Sequence, residues 1–227
     1  MLKYLYYIRY FFYIMWNWNG RLALFTMYHE IRGESKYKLN TSRLNSLTGL
    51  AVTGNNLQHA EIYQGASYFL LENLFGHLRT LHQGKSFVDM GCGKGRALTV
   101  AAHYGFVYIT GVDFARDLCR EAEYNCKKLQ TDFPAVHCRI ICADAAEYRF
   151  EKEMDTIYFF NPFDQIVMAQ VLKNLQESFY HHPRTLFVVY LNPQHKALFL
   201  KAGFEEVYYI QKMEFVEASI LKKPVGV

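Results

Sequence analysis

Hydrophobic and polar positions follow two different rhythms along the chain, and the change between them falls near residue 85. Beyond it, short runs rich in Val, Ile, Phe and Tyr alternate with helix-length segments. Ser86–Met90, Tyr108–Asp113, Arg139–Ala143, Thr156–Asn161 and Thr185–Leu191 read as strands. Between them, Gly95–Tyr104, Ala115–Leu129, Gln165–Tyr180 and Gln194–Lys201 read as helices. Strands linked through helices predict right-handed βαβ crossovers and a parallel sheet covered on both faces. Two last runs, Glu205–Gln211 and Phe215–Leu221, are separated only by Lys212-Met213-Glu214. That connection suits an antiparallel hairpin and is too short for a crossover. The fold class expected is α/β: a mostly parallel, Rossmann-like sheet with one reversed strand.

Residues 1–85 lack this regularity. Met1 to Trp18 reads M-L-K-Y-L-Y-Y-I-R-Y-F-F-Y-I-M-W-N-W. Arg9 interrupts it, and the apolar run Tyr10–Trp16 falls short of the ~20 residues a spanning helix needs. No small-residue cleavage site follows. The segment predicts a helix ending near Gly20, with three settings open. It packs on the main domain, lies at a membrane interface with Lys3 and Arg9 at the headgroups, or meets a partner. From Tyr28 to about Ala60 periodicity is lost and turn residues gather at Lys38–Leu50 and Gly54-Asn55-Asn56, so a long functional or mobile loop is expected. Leu70, Leu71, Leu74, Phe75, Leu78 and Leu81 restore helical spacing and predict a helix over Ser67–Leu81. The organisation expected is an aromatic, lid-like extension over 1–85 and a ligand-binding domain over 86–227.

Composition narrows the function classes. With 51% hydrophobic and 20% charged residues among 227, the chain buries one large core and is neither disordered nor fibrous. A net charge of +4 gives no strong nucleic-acid footprint. The five cysteines (Cys92, Cys119, Cys126, Cys138, Cys142) form no C-x-x-C pair, and extended chain holds Cys138 and Cys142 too far apart for a disulfide. A reduced, cytoplasmic chain is expected. Nothing among the nine histidines has zinc-site spacing, so no metal is expected.

Candidate chemistry concentrates at strand ends. Asp89-Met90-Gly91-Cys92-Gly93-Lys94-Gly95 leaves the first strand of the regular region and enters a helix. Glycines there let backbone approach a ligand closely, and the helix start presents free N–H groups to a negative group. The third glycine arrives one position too early for the dinucleotide fingerprint, which disfavours an NAD-linked oxidoreductase. Asp89 suits a ligand carrying an ammonium, which a pyrophosphate loop would not favour. Asp113, followed by Phe114, stands at the next strand's tip about twenty residues on, where a carboxylate accepts ribose hydroxyls. Asp144, followed by Ala145, ends the third strand, within reach of an adenine amino group. Lys94 and Arg96 read as a solvated loop, although a cation at a helix start calls for an anionic partner.

These motifs make residues 86–222 resemble the class I S-adenosylmethionine-dependent methyltransferases. The resemblance matches Asp89–Gly95 to the family's first motif, Asp113 to its ribose-binding acid and Asp144 to its adenine contact. It implies a seven-stranded sheet with one antiparallel strand, and S-adenosylmethionine as cofactor. Cofactor-binding residues would be Asp89, Met90, Gly91, Cys92, Gly93, Gly95, Asp113, Phe114, Asp144, Ala145 and Asn161.

The fourth strand ends in Asn161-Pro162-Phe163, similar to the [D/N]-P-P-[Y/F] tetrapeptide of methyltransferases acting on planar amino nitrogens, but one proline short. Asn161, Pro162 and Phe163 are the expected catalytic segment: Asn161 orients the acceptor and Phe163 offers a π-face to a cation. Nitrogen is the favoured acceptor atom, on a protein side chain or small molecule. Tyr63 and Tyr68 are expected to line the acceptor pocket. Glu30, Glu61 and the same tyrosines are candidate bases for an ammonium acceptor. The competing reading is a catalytically silent module that binds S-adenosylmethionine as a sensor or scaffold, and Asn161-Pro162-Phe163 leans away from it. Oligomeric state is left open.

Overall fold

The computed structural model describes residues 2–39, 41, 65–160 and 163–225. It opens with α1 (Leu2–Asn17), α2 (Gly20–Tyr37) and α3 (Tyr68–Leu81). Then follow β1 (Ser86–Met90), α4 (Arg96–His103), β2 (Tyr108–Asp113), α5 (Arg116–Asp132) and β3 (His137–Cys142). After a 3-10 turn at Ala145–Glu147 come β4 (Thr156–Phe160), α6 (Gln165–His181), β5 (Leu186–Leu191), α7 (Lys196–Lys201), β6 (Glu205–Lys212) and β7 (Val216–Lys223).

The strands form one seven-stranded sheet in the order β3-β2-β1-β4-β5-β7-β6. The first five are mutually parallel, and β7 runs antiparallel to both β5 and β6. Alternation along each strand divides the core. Phe87 and Tyr158 join Leu71, Leu74 and Phe75 of α3 and Leu98 of α4 on one face. Val88, Met90, Ile157 and Phe159 join Val171 and Leu175 of α6 on the other. Burial on both faces explains why the central strands read as continuous apolar runs. The order turns back between β1 and β4, the switch point where open α/β sheets hold ligands beyond their strand ends.

Two expectations need correction. The loop expected from Tyr28 does not begin there, because α2 continues to Tyr37. Asn19 caps it by accepting from the Leu22 amide, Lys38 closes it in a left-handed conformation, and Tyr7 of α1 donates to Glu34 near its other end. With a two-residue connection, α1 and α2 therefore form an antiparallel helical hairpin. Its buried stripe includes Glu30, Gly33 and Glu34, so an inward face written partly in polar residues hides the period. The chain is also not fully reduced. Cys126 of α5 and Cys138 of β3 are joined by a disulfide, with Cα atoms 5.6 Å apart, inside the range a disulfide tolerates.

Candidate functional site

The loop between β1 and α4 is shaped by its glycines. Gly91, Gly93 and Gly95 all take positive φ (86°, 52° and 80°), a region that L side chains enter only under strain. The loop is stitched to the end of β2: the Gly91 and Cys92 amides both donate to the Val112 carbonyl, at 2.8 and 3.0 Å. The Gly93 amide donates to Asp113 Oδ2 at 2.8 Å, and the Ala115 amide to Oδ1 at 2.9 Å. Asp113 was expected to face a ribose. In this conformation both its oxygens already hold the loop and the start of α5.

Asp89 sits beneath the same loop, and its Oδ1 has no hydrogen-bond partner among the described residues. Burial, and then the charge of Asp113, push its carboxyl well above the usual carboxylate range. Burial likewise raises Asp113, although the amides of Ala115, Gly93 and Phe114 pull it back. Cys92 lies in the same environment, and its thiol is pushed well up by burial and by Asp113, so no thiolate nucleophile forms here. A buried, partnerless carboxylate oxygen beside a glycine cradle fits a ligand with an ammonium group, which would relieve both the desolvation and the repulsion. Met90 is buried in the core and Phe114 is half-buried beyond Asp113. Asp144 caps the 3-10 turn by accepting from the Ala146 amide at 2.9 Å, with Ala145 buried beneath it.

Lys94 and Arg96 are not solvated. Lys94 is buried, and its Nζ pairs with Glu121 at 3.1 Å. Arg96, only 3% exposed, is met from the N-terminal hairpin. Its guanidinium donates to both carboxylate oxygens of Glu30, at 2.9 and 2.5 Å, to Thr41 Oγ1 at 2.7 Å and to the Ala66 carbonyl at 2.7 Å. The anionic partner that its position called for is thus Glu30. One helical turn on, Glu34 accepts from the Tyr7 hydroxyl at 2.7 Å and the Thr41 amide at 3.0 Å. Sequence reasoning placed Glu30 among the bases and missed this network, whose partners lie 66 residues apart. The one available signal was the cation at the helix start.

Tyr68 does not open to a pocket in this conformation. Its ring lies under the Arg96 guanidinium at 4.3 Å and stacks on Tyr37 at 5.6 Å. A Cβ on Gly33 would stand 2.2 Å from that ring, so only glycine lets α2 approach. Burial pushes the Tyr68 phenol up to about 12, so it holds its proton. Phe163 is buried in the core on the α6 face. Asn161, Pro162, Glu61 and Tyr63 lie outside the described residues. A separate cavity of about 720 Å³ opens where β1–β3 begin, lined by Lys85, Tyr108, His137, Arg139 and Asp155, at the far end of the strands from the glycine loop.

Residues 87–181 match a family model described as a methyltransferase domain. No curated protein matches the chain. Among solved structures, the chain is similar to a Pyrococcus horikoshii protein assigned as an RNA methyltransferase (TM-score 0.53, 15% identity, 80% of this chain and 96% of that one). It is also similar to magnesium protoporphyrin IX methyltransferase from Synechocystis with bound S-adenosylmethionine (TM-score 0.51, 15% identity, 71% and 86%). A third is the Pyrococcus abyssi tRNA (uracil-54, C5)-methyltransferase in complex with S-adenosylhomocysteine (TM-score 0.51, 18% identity, 70% and 39%). At these identities the structures speak for the fold alone, and the family model speaks for the domain. Fold and family match agree over residues 87–181, which match a methyltransferase domain carried on the seven-stranded sheet.

Proposed function

We propose that the chain moves a methyl group from S-adenosylmethionine to a nitrogen acceptor at the switch point between β1 and β4. One observation carries the placement: Asp89 is buried without a partner for Oδ1, beside a loop held open by three positive-φ glycines. In this reading Asp89 accepts from the ligand's ammonium and the loop backbone borders its amino-acid portion. Asp113 holds the ribose, and Asp144, Ala145 and Phe114 flank the adenine.

Bound there, the cofactor supplies a sulfonium-activated methyl carbon. The chain's part is to hold an acceptor lone pair in line with it at near-attack distance and to remove a proton if the acceptor is an ammonium. Glu30 and Tyr68 are unsuited to that removal, since one is held by Arg96 and the other keeps its proton. Glu61 and Tyr63 remain as candidate bases. Nitrogen as acceptor follows from Asn161-Pro162-Phe163, where an amide side chain and a strand-end carbonyl suit N–H donors.

Calorimetric titration with S-adenosylmethionine, S-adenosylhomocysteine and NAD tests the site, and a labelled-methyl screen over fractionated extracts tests the reaction. The expected result is binding of both sulfur ligands without NAD, weakened by Asp89→Ala, and label recovered on nitrogen. Label on oxygen or carbon would overturn the acceptor assignment. Binding without any transfer would favour the silent module.

A further inference from the structure

The outer surface of the N-terminal hairpin is apolar and one-signed in charge. On α1, Ile8, Phe12 and Trp16 recur at four-residue steps. On α2, Leu24, Tyr28 and Ile31 recur at steps of four and three. All six are more than half exposed, Trp16 at 88%, so each helix turns an apolar stripe outward as well as inward. Trp18 in the connection is also exposed and meets the Phe215 ring edge-on across 6.5 Å. The charges described on it are those of Arg9 and Arg21, both exposed, and residues 1–29 contain no Asp or Glu. The first carboxylate is Glu30, which is buried against Arg96.

We propose that this face docks on the surface of an anionic phospholipid bilayer, with α1 and α2 lying in the interface. Exposed aliphatic side chains and Phe12 need an apolar sink, which an acyl boundary provides. Trp and Tyr rings suit the headgroup level, and unopposed cations suit anionic headgroups. Among the described residues no helix is long and apolar enough to cross a membrane, so the hairpin lies on the bilayer and does not span it. A second copy packed face to face would set like charges together with no carboxylate between them. Nucleic acid would satisfy the cations and leave Ile8, Leu24 and Ile31 in water.

The chain carries its own reporter, because both of its tryptophans, Trp16 and Trp18, lie on this face. Adding phosphatidylcholine–phosphatidylglycerol vesicles to the full chain should shift tryptophan emission to the blue and shield it from iodide. Pure phosphatidylcholine should do so far less, and salt should reverse the effect. Arg9→Gln and Arg21→Gln should each weaken binding about fivefold, the equivalent of ~1 kcal/mol per basic residue. Ile8→Ser with Phe12→Ser should weaken it more than tenfold while leaving the melting temperature and S-adenosylhomocysteine affinity unchanged, which separates docking from the cofactor site. Unchanged emission with anionic vesicles would overturn the proposal, as would undiminished binding by the double variant. So would a solution dimer that Phe12→Ser dissolves, or tighter binding to single-stranded RNA than to vesicles.

Discussion

Arg96 carries its charge almost wholly out of water, and what keeps that tolerable is the fork of hydrogen bonds it donates to Glu30, Thr41 and the Ala66 carbonyl. Removing either member of the Glu30–Arg96 pair leaves the other buried without its counter-charge. Glu30→Ala should therefore cost about 3–5 kcal/mol in urea unfolding, and Glu30→Met combined with Arg96→Met should recover most of it. Asp89 poses the opposite case, since its folded pKa lies above its unfolded value. Between those values the native state binds the extra proton. The stability Asp89 allows is thus complete below the unfolded pKa and lost as pH rises through the folded one. Asp89→Asn should then raise neutral-pH stability, each kcal/mol gained showing as some 2–4 °C in melting temperature for a chain of about this size. It should also weaken S-adenosylhomocysteine binding by ~2 kcal/mol, so the variant gains stability as it loses ligand. A parallel fall in both would show that Asp89 is structural. The acids at three consecutive strand ends were legible because each follows an apolar run. That both Asp113 oxygens bind backbone was not, since it depends on how Gly93 and Ala115 come back to the β2 tip.

At the scale of elements, β1–β7 and the helices between them could be read from apolar runs because strand and helix periods differ so sharply. No helix was expected over α2, and from Tyr28 a loop was expected in its place. Its inward positions Ala23, Met27, Glu30, Gly33, Glu34 and Tyr37 keep helical spacing, but two glutamates and a glycine occupy places a hydrophobic count expects to be apolar. Those residues face Arg96, Tyr7 and the Tyr68 ring, which are distant in sequence. The α5–β3 disulfide escaped for the same reason: Cys126 and Cys138 become neighbours only when the helix folds back beside its strand. Closing a loop of about a dozen residues contributes ~3 kcal/mol. Cys126→Ser should lower stability by about 2–4 kcal/mol under oxidising conditions and leave it unchanged in reductant, as read from urea midpoints and from a linked peptide in a non-reducing digest.

For the whole molecule, the glycine loop and the N-terminal hairpin are mechanically one object, because Arg96 opens α4 and ends in a carboxylate of α2. Ligand binding at the loop should therefore slow hydrogen exchange in Glu30–Tyr37 as well as in Arg96–His103, measured with and without S-adenosylhomocysteine. Protection confined to α4 would show that the two are energetically separate. The same joint has a consequence in time. During synthesis α2 emerges 66 residues ahead of the arginine that pairs with Glu30. At about 5–20 residues per second, that is a wait of roughly 3–13 s. Through that interval Glu30 lacks Arg96 and keeps the hairpin from settling into a final position, while its aromatic outer face is already complete. The part of the chain that faces outward is thus made first, and the hairpin is locked to the glycine loop only when Arg96 arrives to meet it.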